Sequence, residues 1–352
     1  MRSEDIAKLA GVSRSTVSRV INNYSNVPEE TREKVMKIIE QYSYEPNTSA
    51  RVLAGKEMNT IGLFIVSIAD GESSNRIYQN NYFAPFVEAV VDNANRLGYY
   101  VLIHTVYSQD DYLKVKQAFS QKRIDGGILV GTQQNIELVR DLVNLKSPVV
   151  LIDYDIAEIM EHRLDHNNLA VINSKDYDGT AEAVRYLISL GHTEIGMIKG
   201  RMNTFSGKER YAAFVDTLIE NGLELREEFM LEGEFIKQHA YDEMRRLLAG
   251  KHVPTALFSA NDDMAIAALE AIKERGLRVP EDISLIGFDD VPVASQLVPS
   301  LTSVRIPIYE MSREAVQRVT AMCTNQASAT FGTVGYPTQL VVRQSCQSVH
   351  KA

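Results

Sequence analysis

Short apolar stretches recur along most of the chain, and each is followed by a segment long enough to form a helix. The predicted strands are residues 61–66, 100–104, 127–130, 149–152, 170–173, 195–198, 256–259 and 284–288. Continuously apolar strands that alternate with helices are typical of parallel sheets buried on both faces. These strands are too many for one small sheet. The pattern therefore predicts an α/β body with two subdomains, whose strands fall in about 60–153 and about 166–289.

The first 46 residues have a different pattern, with apolar positions at helical spacing. The predicted helices are residues 4–10, from Ser13 to about Asn22, and from Pro28 to about Ser43. The side chains expected to face inward are Ile6, Ala7, Leu9, Ala10, Val12, Val17, Val20, Ile21, Val35, Ile38, Ile39 and Tyr42. Ser3 should cap the first helix, and Gly11 should provide the turn before the second, polar-faced helix. This order is typical of a helix-turn-helix, and a plain three-helix bundle is the alternative.

The formal charge of the chain is -9 at pH 7, which at first argues against nucleic acid as a partner. The charge is uneven, because residues 1–60 sum to +1 and the remainder carries -10. A weakly basic first segment is compatible with DNA binding by that segment alone. Only two cysteines are present, which is typical of a reducing compartment. No apolar run is long enough for a membrane span, and the first residues do not form a signal peptide, so we expect a cytoplasmic protein.

Several ordered motifs are similar to those of a known family. They are DIAKLAGVS at 5–13, STVSRVIN at 15–22, EETR at 29–32, YEPN at 44–47, ARVL at 50–53 and ISLIGFDD at 283–290. Together they resemble the lactose/galactose/purine repressor family of bacterial transcription regulators. The resemblance covers nearly the whole chain. It implies a helix-turn-helix headpiece over 1–46, a hinge helix and linker over 47–59, and an effector-binding and dimerisation domain over 60–345.

The resemblance also implies how the two subdomains share the chain. Subdomain 1 would hold about 60–160 and 292–324, and subdomain 2 would hold about 161–291 and 325–345. The tail would cross between them, with a helix over 309–323 on the first and a strand over 339–343 on the second. The matching architecture is that of periplasmic sugar-binding proteins.

In such a headpiece the second helix lies in the major groove of DNA. The residues that the resemblance places at base edges are Arg14, Ser15 and Arg19, and those it places at phosphates are Ser3, Thr16, Ser18, Asn22 and Asn26. Because an arginine can donate two hydrogen bonds to guanine, Arg19 is expected to read sequence, whereas phosphate contacts set the register. A solvated surface arginine is the alternative for Arg19.

Residues 47–55 predict a helix of barely two turns, because Pro46 interrupts the preceding segment and Gly55 ends the run. So short a helix is marginal in isolation. It resembles the hinge helix of the family, which orders on DNA and pairs with its dimer mate in the minor groove. The matching residues are Asn47, Ala50, Arg51, Leu53 and Ala54. Leu53 matches the leucine that wedges between the central base pairs.

Polar residues at predicted strand ends indicate a ligand cleft, since open α/β sheets bind ligands beyond the carboxyl ends of their strands. The candidate effector residues are Asp153, Asn261 and Asp289, which each follow a predicted strand, and Arg210, Phe235, Tyr82 and Phe83, which the resemblance adds. Carboxylates, amides and one aromatic face suit a sugar. Residues 71–81 form a longer and more polar segment than the usual turn of the family, so the contacts of Tyr82 and Phe83 stay open.

The sequence therefore predicts a dimeric DNA-binding transcription regulator, a repressor whose operator affinity is controlled by a small-molecule effector. The expected partners are a pseudo-palindromic double-stranded DNA operator, an effector that is a sugar or sugar derivative, and a second copy of the chain. No cofactor, metal, catalytic residue or membrane association is expected. Effector binding would rotate one subdomain against the other and change the separation of the points from which residues 44–60 emerge. The alternative is a solute-binding module or a sugar-processing enzyme on the same α/β frame.

Overall fold

The computed structural model describes residues 1–21, 24–44, 58–66, 80–108, 110–131, 136–164, 167–324 and 332–349. The chain divides into two compact units, Met1–Met58 and Asn59–Ala352, which we call the headpiece and the body. The expected contact Asn22 and the expected hinge residues Asn47, Ala50, Arg51, Leu53 and Ala54 lie outside the described residues, as do residues 71–79. None of the helices within the described ranges is both long and apolar enough to cross a membrane.

Three short helices form the headpiece, namely α1 (Ser3–Ala10), α2 (Arg14–Ile21) and α3 (Glu29–Gln41). Gly11 has a left-handed conformation with φ of 61°, which provides the turn between α1 and α2. A small apolar core lies where the helices meet; it consists of Ile6, Ala7, Ala10, Val17, Val20, Val27 and Val35. The predicted helix-turn-helix order is confirmed.

The helix starts show one correct prediction and one wrong one. Ser13 caps α2, because its Oγ accepts a hydrogen bond from the backbone N of Thr16 at 3.1 Å. Ser3 does not cap α1, which begins at Ser3 itself. The carboxylate of Asp5 reaches back and accepts from the backbone N of Arg2 at 2.8 Å, so the helix starts one residue earlier than predicted.

Two residues expected inside the headpiece core are exposed. Leu9 is 47% exposed, because the buried stripe of α1 leaves it at the edge of the apolar face. Tyr42 is 46% exposed, because α3 ends at Gln41 and the periodicity does not continue. Tyr44 packs against the core instead.

Two six-stranded sheets form the frame of the body. The first contains β1 (Thr60–Val66), β2 (Tyr100–Val106), β3 (Gly126–Val130), β4 (Val149–Ile152), β5 (Leu169–Ser174) and β11 (Thr333–Tyr336), in the order β11-β5-β4-β3-β1-β2. The second contains β6 (Ile195–Lys199), β7 (Met230–Glu232), β8 (Ala256–Ser259), β9 (Ser284–Asp289), β10 (Thr302–Arg305) and β12 (Gln339–Val341), in the order β12-β10-β9-β8-β6-β7. The paired strands of the first sheet are parallel, and so are those of the second except β10 with β12. The predicted α/β class and all eight predicted strands are confirmed.

Helices separate most of the strands in sequence. They are α4 (Phe83–Arg96), α5 (Asp111–Ser120), α6 (Ile136–Asn144), α7 (Ile156–Glu161), α8 (Asp176–Ser189), α9 (Phe205–Glu220), α10 (Lys237–Leu248), α11 (Asp262–Glu274) and α12 (Ile308–Cys323). The strands β3, β4 and β8 are buried at every position, as expected for parallel strands covered on both faces. Helix α12 packs on α4 and β3, so the prediction that the helix over 309–323 lies on the first subdomain is confirmed.

The chain passes between the two sheets three times, and this corrects the expected subdomain boundaries. Strand β5 pairs with β4, where Leu169 lies opposite Val149, so this segment belongs to the first sheet and not to the second as predicted. Strand β10 belongs to the second sheet and β11 to the first, so the expected limits at 161, 292 and 325 are wrong. An apolar strand has the same pattern in either sheet, and only pairing assigns it. The three connections follow β5, β10 and β11.

Candidate ligand cleft and nucleic-acid interface

Helix α2 presents a polar face to solvent. Arg14, Ser15, Ser18 and Arg19 are exposed, whereas the two valines of this helix are buried. These four positions share one side because an α-helix has 3.6 residues per turn. The first turn of α2 contains no acidic residue, so the face offers two guanidinium groups and two hydroxyls to an anionic partner.

Some of the residues expected to contact DNA make hydrogen bonds within the headpiece. Arg14 donates to the Oγ of Ser3 at 3.2 Å and lies 3.4 Å from an Oε1 of Glu4. Thr16 is half-buried, and its Oγ1 lies 2.9 Å from the hydroxyl of the serine that caps the helix. Asn26 is exposed. The contacts of Arg14 are exposed and therefore weak, so a nucleic acid can displace them.

The body contains a cavity of about 110 Å³ at the carboxyl ends of strands from both sheets. Its walls are formed by Val66, Asn80, Tyr82, Phe83, Val130, Gly131, Ile152, Asp153, Ser174, Asp176, Arg201, Thr204, Ser206, Arg210, Glu234, Phe235, Asn261, Asp289 and Met311. The structure thus brings together all seven residues that the sequence suggested for an effector: Tyr82, Phe83, Asp153, Arg210, Phe235, Asn261 and Asp289. We call this cavity the cleft.

A buried arginine lies at the centre of the cleft wall. Arg210, on the second turn of α9, donates from Nε to Asp176 at 2.8 Å and from Nη1 to the backbone O of Ala260 at 2.5 Å. Its Nη1 also lies 3.5 Å from Oδ1 of Asp289. The carbon of the guanidinium lies 3.7 Å from the centre of the Phe288 ring. This guanidinium therefore joins α8, β8 and β9 behind the ligand space.

Asp153 connects the two sheets across the cleft. It follows β4 in the first sheet, and its two oxygens accept hydrogen bonds from the N and Oγ of Ser206 at 2.7 and 2.8 Å. Ser206 lies in the first turn of α9 on the second sheet, where a carboxylate is favoured by the helix dipole. Burial, together with the charge of Asp176, raises the pKa of Asp153 to about 6.

Several cleft residues have a left-handed backbone conformation. Asp153, Phe235 and Asp289 have φ of 60°, 59° and 108°, and such left-handed residues tend to occur at ligand sites. The Phe235 ring is seated on Gly200, where an added Cβ would lie 2.2 Å from the ring. Burial raises the pKa of Asp289 well above its ordinary value, and Arg210 opposes this rise. Burial also raises the pKa of Tyr82.

Asn261 has a structural task besides lining the cleft. It is the N-cap of α11, where its Oδ1 accepts from the backbone N of Met264 at 2.9 Å. Asn80 acts in the same way ahead of α4, where its Oδ1 accepts from the backbone N of Tyr82 at 2.9 Å. Both amides are held in place by helix starts, so their orientation toward the cleft does not depend on a ligand.

A second connection between the sheets lies beside the cleft. The backbone N and Nδ2 of Asn81 donate to the two carboxylate oxygens of Asp263 at 3.1 and 2.5 Å. Lys237 pairs with the same carboxylate at 3.2 Å. Asn81 precedes α4 on the first sheet, whereas Asp263 is at the start of α11 on the second. The last residue of the segment that departs from the family pattern therefore takes part in joining the two halves.

Sequence reasoning missed several residues of the cleft. Those with polar side chains are Asn80, Ser174, Asp176, Arg201, Thr204, Ser206 and Glu234. Ser174 and Asp176 follow the strand predicted over 170–173, as Asp153 follows the strand over 149–152, so the same strand-end signal points to them. Within the described ranges no group of three or more His, Cys, Asp or Glu side chains is arranged to hold a metal ion.

Comparisons with known proteins agree with this architecture. A family model described as bacterial regulatory proteins, lacI family, matches residues 4–47, and a model of a periplasmic binding protein-like domain matches residues 184–346. The probable HTH-type transcriptional repressor ExuR of Bacillus subtilis is 35% identical over 321 residues, which is 91% of this chain and 90% of that protein.

Two solved structures extend the likeness to nearly the whole chain. The Lac repressor dimer bound to operator and the anti-inducer ONPF superposes with a TM-score of 0.79 at 29% identity and covers 99% of both chains. The transcriptional regulator CelR in complex with cellobiose has a TM-score of 0.73 at 28% identity and covers 98% of this chain and 99% of its own. Both are regulators that carry a ligand.

Proposed function

The chain belongs to the lacI family of bacterial regulatory proteins and is a DNA-binding transcription regulator, and we propose that it is a repressor whose operator affinity depends on a small ligand in the cleft. One observation carries this proposal: a helix-turn-helix headpiece and a cleft lined by carboxylates and a buried guanidinium occur in the same chain. The headpiece supplies DNA binding, and the cleft supplies control.

The chemistry of the cleft favours a sugar or sugar derivative as the ligand. Carboxylate oxygens of Asp153 and Asp289 accept hydrogen bonds from hydroxyl groups, and Phe235 offers an aromatic face to the C–H side of a ring. The apolar residues Val66 and Met311 complete the wall. A few convergent polar groups in a largely apolar pocket are typical of small-molecule sites.

On the DNA side, the proposal assigns roles to the exposed face of α2. Arg14, Ser15 and Arg19 contact base edges in the major groove, and Ser18 contacts the backbone. The remaining backbone contacts are Ser3, Thr16, Asn22 and Asn26, and the minor-groove residues are Asn47, Ala50, Arg51, Leu53 and Ala54. A homodimer carries two such headpieces and reads a pseudo-palindrome, since symmetric proteins read symmetric sites.

Control passes through the relative position of the two sheets. A ligand that contacts residues from both sheets favours one arrangement of the subdomains over another, and it changes operator affinity by its difference in affinity between them. The three chain connections after β5, β10 and β11 are the segments that must adjust. Gel retardation of the operator with and without the ligand decides whether the ligand weakens or strengthens operator binding.

Two further properties follow from the proposed function. The chain acts as a regulator rather than an enzyme, because its cleft is explained by ligand binding and its relative ExuR is named as a repressor. It works in the cytoplasm, because a regulator of transcription acts where the DNA of the cell lies. A solute-binding module or a sugar-processing enzyme would leave the headpiece without a role.

Selection from random DNA tests the DNA-binding part. The full chain should return inverted half-sites with a flexible pyrimidine–purine step at the centre, because such steps kink easily. Arg19→Ala should cost about 1–3 kcal/mol on the selected site and relax one base position in each half-site. Ser18→Ala, one residue away on the same exposed face, should weaken all sequences evenly. A single asymmetric motif, or an equal loss on specific and random DNA for Arg19→Ala, would count against the assignment.

A ligand screen tests the control part. Thermal shifts of the full chain over sugars, sugar phosphates and purines identify binders, and gel retardation of the selected operator then measures the effect of each. Asp289→Asn should weaken ligand binding while operator binding without ligand is retained. Asp282→Asn, at an ion pair with Arg278 outside the cleft, is the matched control. A binder that changes operator affinity equally in both variants would remove Asp289 from the site.

A further inference from the structure

The charges of the cleft can be counted, and the count restricts the ligand. Among the described residues, four carboxylates line the cavity, those of Asp153, Asp176, Glu234 and Asp289. Two cations from the same set of residues line it, Arg201 and Arg210. The buried Arg210 already faces Asp176 and Asp289. The cleft therefore has more negative than positive charge before any ligand enters.

On this basis we propose that the cleft accepts an uncharged, hydroxyl-bearing ligand and rejects sugar acids and sugar phosphates. This inference rests on the proposed function, because it specifies the ligand of that same cleft. It divides the broad class of sugars and sugar derivatives by charge.

Hydrogen bonding supports an uncharged ligand that donates. The contact between Asp289 and Arg210 is 3.5 Å long, at the limit of a hydrogen bond, so this carboxylate keeps most of its capacity to accept. Each oxygen of Asp153 accepts one hydrogen bond from Ser206 and has room for another. Hydroxyl groups supply the missing donors. A carboxylate or phosphate would instead bring acceptors and a further negative charge toward Asp153 and Asp289.

Electrostatics points the same way. Burial raises the pKa of both Asp153 and Asp289, so the charged form of each carboxylate is already costly at these positions. A further anion in this low-dielectric space would repel them, because like charges brought together at a desolvated site are strongly unfavourable. A cation is not required, since the charge of Asp153 is met by the backbone N of Ser206 at the start of α9.

One wall of the cleft is an aromatic ring, which suits the C–H face of a sugar. The Phe235 ring closes one side, because it is packed on Gly200.

Matched sets of probes test the charge selection on the full chain. Calorimetry should compare glucose, glucuronate, glucosamine, glucose 6-phosphate and cellobiose, and the same series built on galactose and on mannose. Whichever skeleton binds, its neutral monosaccharide should bind about 100-fold more tightly than the uronate and the phosphate. A uronate, phosphate or amine that binds as tightly as the neutral monosaccharide would overturn the inference, and so would binding of nucleobases alone.

A variant separates charge selection from shape. Asp153→Asn keeps the shape of the side chain and removes one negative charge, so the preference for the neutral sugar over its uronate should narrow about tenfold. Asp155→Asn is the matched control, because Asp155 caps α7 outside the cleft wall and asparagine caps equally well. An unchanged preference in Asp153→Asn would contradict the inference. A neutral sugar that binds without altering operator affinity would refute the proposed control while leaving the charge selection standing.

Discussion

Replacing Arg210 by methionine should destabilise the body more than almost any other single change in the cleft. The guanidinium of Arg210 is 5% exposed, and its two carboxylate partners Asp176 and Asp289 are 3% and 6% exposed. Methionine retains the apolar stem, which packs near Phe288, but it removes the charge. Two buried carboxylates would then lack their cation.

The expected loss of stability follows from the removal of the cation from a buried ion pair. Removing one member of a buried ion pair costs roughly 3–5 kcal/mol, because an uncompensated charge stays behind. The contact of the guanidinium with the Phe288 ring at 3.7 Å adds about 1 kcal/mol. The carboxylates can also recover part of the loss by binding protons. We therefore expect Arg210→Met to lose about 4 kcal/mol near pH 8 and less near pH 5.

Urea unfolding of the full chain, followed by hydrogen exchange of amides in β8 and β9, measures this loss in the body itself. The double variant Asp176→Asn/Arg210→Met removes one orphaned carboxylate, so it should be more stable than Arg210→Met alone. This reversal distinguishes an unpaired charge from a mere loss of packing. The reasoning is refuted if Arg210→Met unfolds at the wild-type urea concentration, or if the double variant is the less stable of the two.

Three further predictions concern other buried contacts. His192 is buried against Thr255 and Ser284, and burial lowers its pKa. The unfolded chain therefore binds more protons, and wild type should lose stability as the pH falls below about 6.5, by up to about 1.4 kcal/mol per pH unit. Between pH 7.5 and 5.5 the urea midpoint of His192→Gln should therefore fall less than that of wild type. The midpoint of the exposed control His252→Gln should fall as much as that of wild type. Gly287→Ala places a Cβ 2.0 Å from Oδ1 of the buried Asp262 and should cost about 1–3 kcal/mol, while Gly335→Ala, whose nearest neighbour is at 3.5 Å, should be neutral by thermal unfolding. Asn81→Ala removes the side-chain bond to Asp263 and should weaken ligand affinity about fivefold in calorimetry; equal affinity would show that this connection does not restrain the cleft.

The headpiece was predictable because its signals are local. Gly11 and Ser13 fix the turn and the start of α2 by their own conformational preferences, and the apolar spacing places the valines inside. The errors lie at helix ends, where Asp5 and not Ser3 completes the first cap and where Tyr44 replaces Tyr42 in the core. At such ends a single side-chain hydrogen bond decides between neighbouring residues, and periodicity does not register it.

The cleft was predictable only in part, because its members come from distant segments. Asp153, Asn261 and Asp289 were found from strand ends, and Arg210 and Phe235 from family resemblance. Asp176 was missed although it holds Arg210 at 2.8 Å. The strand-end signal applies to Asp176 as well, but an apolar strand of six residues has the same pattern beside β4 as beside β6, so the pattern does not show which residues its end will meet. Pairing between strands, which the sequence pattern does not encode, brings Asp176 to the cleft.

The connections across the cleft set the scale on which a ligand must act. Asp153 with Ser206 and Asn81 with Asp263 join the two sheets through hydrogen bonds that involve a carboxylate. Hydrogen bonds to charged groups contribute roughly 1.5–3 kcal/mol each, which is similar to the 1–3 kcal/mol of a typical allosteric coupling. A ligand shifts the arrangement only by the difference in its affinity for the two states. The residues at positions 81 and 263 should therefore set the operator affinity of the free protein as strongly as the residues that contact the ligand.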